Sequence, residues 1–223
     1  ALYNFQQGLY NFNSTGNLDN AEVAIKKAIN MDEQDLYYRS LTELYLIRLK
    51  NLLNNPPSVS REVLFGQLQT DLSVAAGSAR RATELNGNNY MNWMSLGKVG
   101  EAVMPIRDTI AGAYDLAATS YGKALSLNPK NPNIYLSLAQ LEAASGNVAK
   151  ARDYLGQALE RKSNFTAAYF LLSQIEAGQG NLASAIAKAE QAAVFAPGDV
   201  GILFQIGLLK YMNKDYSGAV NAL

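Results

Sequence analysis

The chain has 223 residues, 48% of them apolar, so it can bury a substantial core. Nineteen Lys and Arg balance nineteen Asp and Glu, which argues against a nucleic-acid binder that relies on clustered positive charge. The absence of His and Cys excludes Ser/His/Asp and Cys/His catalytic units, the common zinc sites and disulfides, and we expect no cofactor. No stretch approaches the roughly 18 apolar residues of a membrane span, so we expect no direct membrane insertion by this fragment.

Along the whole chain, apolar and small residues follow helical spacing, and period-two alternation is absent. The sequence therefore predicts an all-α protein built from pairs of helices. The anchors of the pattern divide it, in chain order, into segments 2–34, 35–89, 90–131, 132–165, 166–199 and an incomplete 200–223.

The segment 35–89 is predicted to be a lengthened helical hairpin. It is much longer than segment 132–165, and apolar faces continue on both sides of Asn54-Asn55-Pro56-Pro57-Ser58. About ten extra residues per helix would carry this hairpin about 15 Å beyond its neighbours. Segment 90–131 carries a shorter insertion.

The second half of the chain repeats itself with a period of about 34 residues. The aligned positions are Tyr135, Tyr169 and Leu203; Ala151, Ala185 and Ala219; and the turns Gly146-Asn147, Gly180-Asn181 and Lys214-Asp215. Glycine in such a turn suits the left-handed residue that ends a helix, and Pro132 after Asn131 suits a first helical turn. Each repeat is therefore predicted to contain two helices.

These residues resemble the tetratricopeptide repeat (TPR) family. The best single match is Trp93, Leu96 and Gly97 in a first helix, followed in the second helix by Ala117, Tyr121, Ala124 and, beyond it, Pro129. The resemblance implies one right-handed α-solenoid of helix-turn-helix repeats over residues 1–223. It also implies a non-catalytic scaffold for protein–protein interaction.

In the TPR family, stacked first helices line a concave groove, and the resemblance places this groove on the last three segments. The candidate peptide-binding residues are Asn133, Leu136, Gln140, Phe170, Gln174, Phe204, Leu208 and Tyr211. The other lining positions there are Ala143, Ala144, Ala167, Ala177, Gly178, Gly201 and Met212, so none of the fifteen is charged. The preceding segments contribute Arg39, Glu43, Met91, Met94, Lys98 and Glu101, which are mixed in sign.

This lining bears on the class of partner. TPR clamps that hold acidic chaperone tails use basic side chains, and this groove lacks such a set. We expect instead a protein or peptide ligand, either an extended peptide or an amphipathic helix. Its apolar anchors would lie over the Leu and Phe residues of the site, and Gln140 and Gln174 would bond its backbone. The competing interpretation is a groove that is simply neutral or is filled by further C-terminal sequence.

Two other features have both structural and functional interpretations. Glu142 and Glu176 stand one repeat period apart and could form an acid/base pair, but repeat duplication with each carboxylate satisfied by a neighbouring amide, hydroxyl or solvent explains them better. The glycine-rich string at 178–181 lacks the flanks of a phosphate loop and fits a turn between helices. Self-association through the uncapped last repeat is a further alternative.

A narrower resemblance suggests an alternative function for the chain, as part of a larger protein. The stretches NNYMNWMSLGKVGEAVMP, GAYDLAATSYGKALSLNPKNP and DLYYRSLTELYLIRL resemble the TPR tail that follows the membrane region of bacterial O-antigen ligase/polymerase-like proteins. This resemblance implies the soluble part of a bacterial membrane protein that acts on lipid-linked polysaccharide, with repeats that recruit or position partners and catalytic residues elsewhere. Otherwise the chain is expected in the cytoplasm; the sequence does not fix the compartment.

Overall fold

The computed structural model describes residues 1–3, 5–7, 16–106 and 110–222, and the described residues contain helices and no strand. They form two compact units, Ala1–Pro129 (the N-terminal unit) and Lys130–Leu223 (the C-terminal unit). The division falls beside the predicted repeat boundary at 131/132. The all-α fold class predicted from the sequence is confirmed.

The bounded α-helices of the N-terminal unit are α1 (Leu18–Met31), α2 (Asp35–Asn54), α3 (Arg61–Leu85), α4 (Tyr90–Ala102) and α5 (Ala113–Leu127). A short 3-10 helix, Met104–Ile106, follows α4 in the region where the sequence has its shorter insertion. Residues 107–109, within the same insertion, lie outside the described part of the chain, as do several residues of the first repeat.

The described helices of the C-terminal unit are α6 (Pro132–Ala144), α7 (Val148–Arg161), α8 (Thr166–Gly178), α9 (Leu182–Phe195), α10 (Val200–Met212) and α11 (Tyr216–Asn221). Asn131 caps α6 by accepting a hydrogen bond from the Asn133 amide at 3.0 Å, and Pro132 occupies the first turn. Each first helix of a repeat packs against the second helix that follows it.

Every full-length second helix buries the same three positions, i, i+4 and i+7. The sets are Ala21, Ile25 and Ala28; Ala75, Ala79 and Ala82; Ala117, Tyr121 and Ala124; Ala151, Leu155 and Ala158; and Ala185, Ala189 and Ala192, all at most 3% exposed. Alanine at both ends of each set lets the first helix approach closely, because its single methyl group adds little thickness to the contact.

The long hairpin consists of α2, with 20 residues, and α3, with 25. The side chains of α3 are fully buried only from Ala75 onward, and in its first half Leu68 and Leu72 are half-buried against the same core. Ser60 starts α3 by accepting a hydrogen bond from the Val63 amide.

Helices α4 and α5 approach closely at two glycines of α4. A Cβ on Gly97 would collide with the ring of Tyr121, and a Cβ on Gly100 would collide with the backbone oxygen of Ala113. The flexible ring could shift, whereas the backbone oxygen is fixed by its helix. Gly100 therefore sets the closest approach of the two helices.

A buried polar cluster joins α2 to α4, which are far apart in sequence. The side-chain amide of Asn92, which is fully buried, donates to Asp35 Oδ2 at 2.9 Å and to two backbone carbonyls of α3 and its C-cap. Arg39 Nη1 donates to Asn92 Oδ1 at 2.9 Å, and Asn89 also donates to Asp35. Burial by itself raises the pKa of Asp35, but the two amides and Arg39 outweigh it and hold that pKa below its ordinary value.

Because this pKa is lowered in the folded state, the ionised Asp35 stabilises the N-terminal unit at neutral pH. This contribution is present above the ordinary Asp pKa of 3.8 and is lost as the pH falls through the lower folded value. We expect urea-unfolding titrations to show a smaller loss of stability over this acid range in Asp35→Asn than in the unchanged protein. Equal acid sensitivity of the two proteins would contradict the assignment.

The turns that end the first helices of the C-terminal unit share one backbone conformation. Gly146, Gly180 and Lys214 stand one repeat period apart and have φ values of 88°, 78° and 64°. Glycine adopts this left-handed conformation without a Cβ clash, whereas for Lys214 it costs about 1–2 kcal/mol. The third turn thus keeps the geometry of the first two despite its side chain.

We therefore expect Lys214→Gly to stabilise the C-terminal unit by about 1 kcal/mol and Gly146→Ala to destabilise it by a similar amount. Hydrogen exchange of the amides of α6, α10 and α11 measures both effects. Gly156→Ala is the matched control, because Gly156 lies inside α7 with open space around its Cα. There alanine should stabilise by about 0.5–1 kcal/mol, opposite in sign to the change at Gly146.

Candidate peptide-binding groove

The candidate site occupies one face of α6, α8 and α10 in the C-terminal unit, and we call it the first-helix face. Its residues are Asn133, Leu136 and Gln140 on α6, Phe170 and Gln174 on α8, and Phe204, Leu208 and Tyr211 on α10. Helix α8 lies beside α6, and Phe170 packs against the buried cluster formed by α9 and α10.

All eight side chains retain contact with solvent, but to different degrees. Asn133, Gln140 and Gln174 are exposed, whereas Leu136 and Phe170 are half-buried. The apolar residues of α10 are the most accessible: Phe204, Leu208 and Tyr211 are 59%, 43% and 62% exposed. Large apolar side chains are thus available on α10, where folding would ordinarily bury them.

Val200 extends this apolar surface and was not among the predicted residues. It is 78% exposed and lies four residues before Phe204 on α10. The same helical spacing that relates Phe204 to Leu208 could have identified Val200 in the sequence. Val200 was not predicted because the groove-lining positions taken from the TPR family do not include the repeat position at which it stands.

The charges closest in sequence to this face are compensated inside the C-terminal unit. Glu142 is buried, and its carboxylate accepts a hydrogen bond from the Asn147 amide at 3.0 Å and lies 3.6 Å from Lys150. At the next equivalent position, Glu176 accepts from Asn181 at 3.0 Å and pairs with Arg152 at 2.9 Å.

The third equivalent position reverses the sign of the charge. Lys210 replaces the glutamate and pairs with Glu190 of α9 at 2.8 Å. These pairs account for Glu142 and Glu176 as structural residues, each satisfied by the amide that begins the following helix. Of the string at 178–181, Gly178 ends α8 and residues 179–181 form the turn to α9, as the sequence predicted.

The predicted lining residues of the N-terminal unit are largely paired with each other or with neighbours. Lys98 lies 3.2 Å from Glu43, and Arg39 belongs to the Asn92 cluster. The Tyr121 hydroxyl donates to Glu101, but burial is the larger effect and raises the pKa of that carboxyl. These charged side chains therefore stabilise contacts between helices of the N-terminal unit.

The N-terminal unit has clefts that sequence reasoning did not identify. One cleft, of about 670 Å³, lies between α2 and α3 near the tip of the long hairpin and includes Arg48, Gln67 and Asp71. It could not be found from spacing, because its walls come from two helices whose register is set by packing.

Among the described residues, no acidic cluster is arranged to hold a metal ion. No helix within the described ranges is long and apolar enough to cross a membrane.

Comparison with known proteins supports the repeat assignment. Residues 109–175 match the family model described as Tetratricopeptide repeat. The search of curated proteins gave no significant match. The match covers less than half of the chain, so it identifies the repeat in residues 109–175.

Solved structures show the same fold at low sequence identity. PilW, described as a widely conserved type IV pilus biogenesis factor, is 15% identical with a TM-score of 0.70, over 99% of this chain and 89% of its own. TTC0263, a thermophilic TPR protein of Thermus thermophilus, is 18% identical with a TM-score of 0.66, over 98% of each chain. Pseudomonas aeruginosa pilF is 15% identical with a TM-score of 0.66, over 99% of this chain and 87% of its own. The fold is therefore the TPR solenoid, and the resemblance to O-antigen ligase tails receives no support from these comparisons.

The buried carboxylate of Glu142 gives a test of its structural role. We expect Glu142→Ala to destabilise the C-terminal unit by about 1–3 kcal/mol, because it leaves a cavity in a buried position and removes the partner of Asn147. Glu160→Ala is the control: its side chain is 76% exposed, so its effect should stay within about 0.5 kcal/mol. Amide hydrogen exchange in α6 and α7 reports the difference, and equal effects of the two substitutions would contradict the role given to Glu142.

Proposed function

We propose that the chain is a non-catalytic scaffold for protein–protein interaction, and that its C-terminal unit binds a partner segment on the first-helix face. The observation that carries this proposal is the accessible apolar surface of α10, where Phe204, Leu208 and Tyr211 are each more than two-fifths exposed. Contiguous apolar patches of several hundred Å² on a protein surface mark interaction sites.

The polar residues of the face complement this apolar surface. Within the described part of the chain, the side-chain amides of Gln140 and Gln174 are exposed and have no hydrogen-bond partner. A side-chain amide can donate and accept at once, so these residues suit the backbone groups of a bound segment. The partner is therefore held by apolar anchors together with a small number of amide hydrogen bonds.

The electrostatics of the face select against charged partners. None of its eight residues carries a charge, and the nearby Glu176 and Lys210 already have partners within the unit. An acidic tail would lose hydration here without gaining a cation, which is unfavourable for an ionised carboxylate. A segment with apolar anchors is the better fit.

Affinity capture from an extract of the cells that make the protein tests the proposal. We expect the combined variant Phe170→Ser and Phe204→Ser to retain less than about one tenth of a partner that the unchanged chain retains, because it removes aromatic anchors of the kind that dominate binding energy. Phe65→Ser is the matched control, because Phe65 is 42% exposed on α3 of the N-terminal unit.

The salt dependence of the captured partner provides a second measurement. Apolar contacts are not screened, so affinity should change less than about tenfold between low and high ionic strength. Equal retention by the unchanged and combined variants, or a larger loss of affinity in salt, would remove the first-helix face as the binding site.

A further inference from the structure

The cleft of about 670 Å³ in the N-terminal unit has one wall from each helix of the long hairpin, and we call it the hairpin cleft. Its α3 wall consists of Val63, Gly66, Gln67, Thr70 and Asp71. These residues stand at i, i+3, i+4, i+7 and i+8, which places them on one face of the helix. The wall is about 12 Å long at 1.5 Å per residue, and about four residues of an extended chain span that length.

Asp71 carries a carboxylate without a partner at the inner end of this wall. Its side chain is half-buried, and within the described part of the chain it makes no hydrogen bond and no ion pair. Burial raises the pKa of this carboxyl, Arg48 opposes the effect and Glu22 adds to it. A carboxylate that has lost part of its hydration attracts a cation more strongly than one in bulk water does.

The cation that lines the hairpin cleft, Arg48, is already paired with carboxylates of α1. Its guanidinium donates to Asp19 and lies 2.7 Å from Glu22. Glu22 also pairs with Lys26 at 2.5 Å. These two carboxylates and two cations balance one another, and among these five described residues Asp71 is left as an unbalanced negative charge.

The other charged residues near the tip of the hairpin do not supply the missing cation. Among the described residues there, Lys50, Arg61 and Glu62 are exposed and do not line the cleft. Arg61 and Glu62 are adjacent in the chain and opposite in charge, so their effects largely cancel at a distance. A cation that pairs with Asp71 therefore comes from another molecule.

The remaining lining of the hairpin cleft suits a peptide segment. Asn51 and Gln67, one on each wall, have exposed side-chain amides without a hydrogen-bond partner in the described part of the chain. Such amides can donate to and accept from a peptide backbone. Leu52 and Val63 add apolar surface, and Val63 is 49% exposed. Lysine and arginine combine an apolar stem with a cationic head, which matches apolar walls that lead to a carboxylate.

We propose that the hairpin cleft binds a short extended segment of a partner protein, and that one lysine or arginine side chain of this segment pairs with Asp71. The site belongs to the N-terminal unit and shares no residue with the first-helix face, so it goes beyond the proposed function and does not depend on it. The two sites differ in the chemistry they accept: the first-helix face takes an uncharged apolar segment, and the hairpin cleft takes a cationic one.

Two capped peptides of about five residues test this proposal by titration into the full, isotope-labelled chain. They share Ala and Val flanks and differ only in the central residue, which is arginine in one and citrulline, its neutral isostere, in the other. We expect the arginine peptide to shift the backbone amide resonances of the residues that line the cleft. It should bind at least about tenfold more tightly than the citrulline peptide, because a charge-assisted hydrogen bond is about twice as strong as a neutral one.

Two variants separate a binding role of Asp71 from a structural one. Asp71→Asn should weaken the arginine peptide by about tenfold or more, whereas Asp115→Asn, altered at an exposed carboxylate of α5 in the same unit, should leave its affinity unchanged. Because burial disfavours the ionised form of Asp71, Asp71→Asn should unfold at the same urea concentration as the unchanged protein or at a higher one. A lower urea midpoint would make Asp71 a residue that stabilises the hairpin and would contradict the assignment.

The remaining outcomes identify other ligands or overturn the site. Equal affinity of the two peptides, no shift of the cleft amides at millimolar peptide, or insensitivity to Asp71→Asn would overturn the proposal. Binding of N-acetyl-arginine amide as tight as that of the arginine peptide would identify a small cation as the ligand and would remove the partner segment. Phe204→Ser should leave the arginine peptide unaffected, so failure of this site and failure of the first-helix face are measured separately.

Discussion

The close contact between the two helices of each repeat is the constraint on which the rest of the structure depends. Each full-length second helix presents a buried set at i, i+4 and i+7 that begins and ends with alanine, as in Ala151, Leu155 and Ala158. The alanines at the two ends of the set allow the first helix to approach closely. The bulky residues of the contact come from the middle position of the set, such as Leu155, and from the first helix, among them Tyr135 and Leu138.

Each first helix therefore has one face that packs against neighbouring helices and another face that does not. In α6 the packed face includes Ile134 and Leu141, and the opposite, more exposed face includes Leu136 and Gln140. Where polar groups enter the packed side, they are satisfied locally, as Glu142 is by Asn147. Residues on a face that does not pack can be suited to binding a partner without disturbing the contacts between helices.

The two units use their first helices differently. In the N-terminal unit, residues predicted to line a groove are engaged inside the unit, as Arg39 is with Asn92 and Lys98 is with Glu43. In the C-terminal unit, the corresponding surface is uncharged, and its apolar residues on α10 remain accessible. The paired charges of the first surface stabilise the N-terminal unit, whereas the second surface carries the accessible apolar residues on which the proposed binding role rests.

The sequence alone determined the helical class, the repeat period, the turns at Gly146 and Gly180 and the lengthened hairpin, because each is written in local spacing and in the conformational preferences of single residues. It also predicted which residues form the first-helix face, since repeat position fixes which side of a helix a residue occupies. Only the tertiary structure decided the contact of Asn92 with Asp35, the steric demand at Gly100 and the exposure of Val200. These depend on distances between helices that are far apart in sequence, and such distances are set by the combined packing of many side chains rather than by the pattern of any one segment.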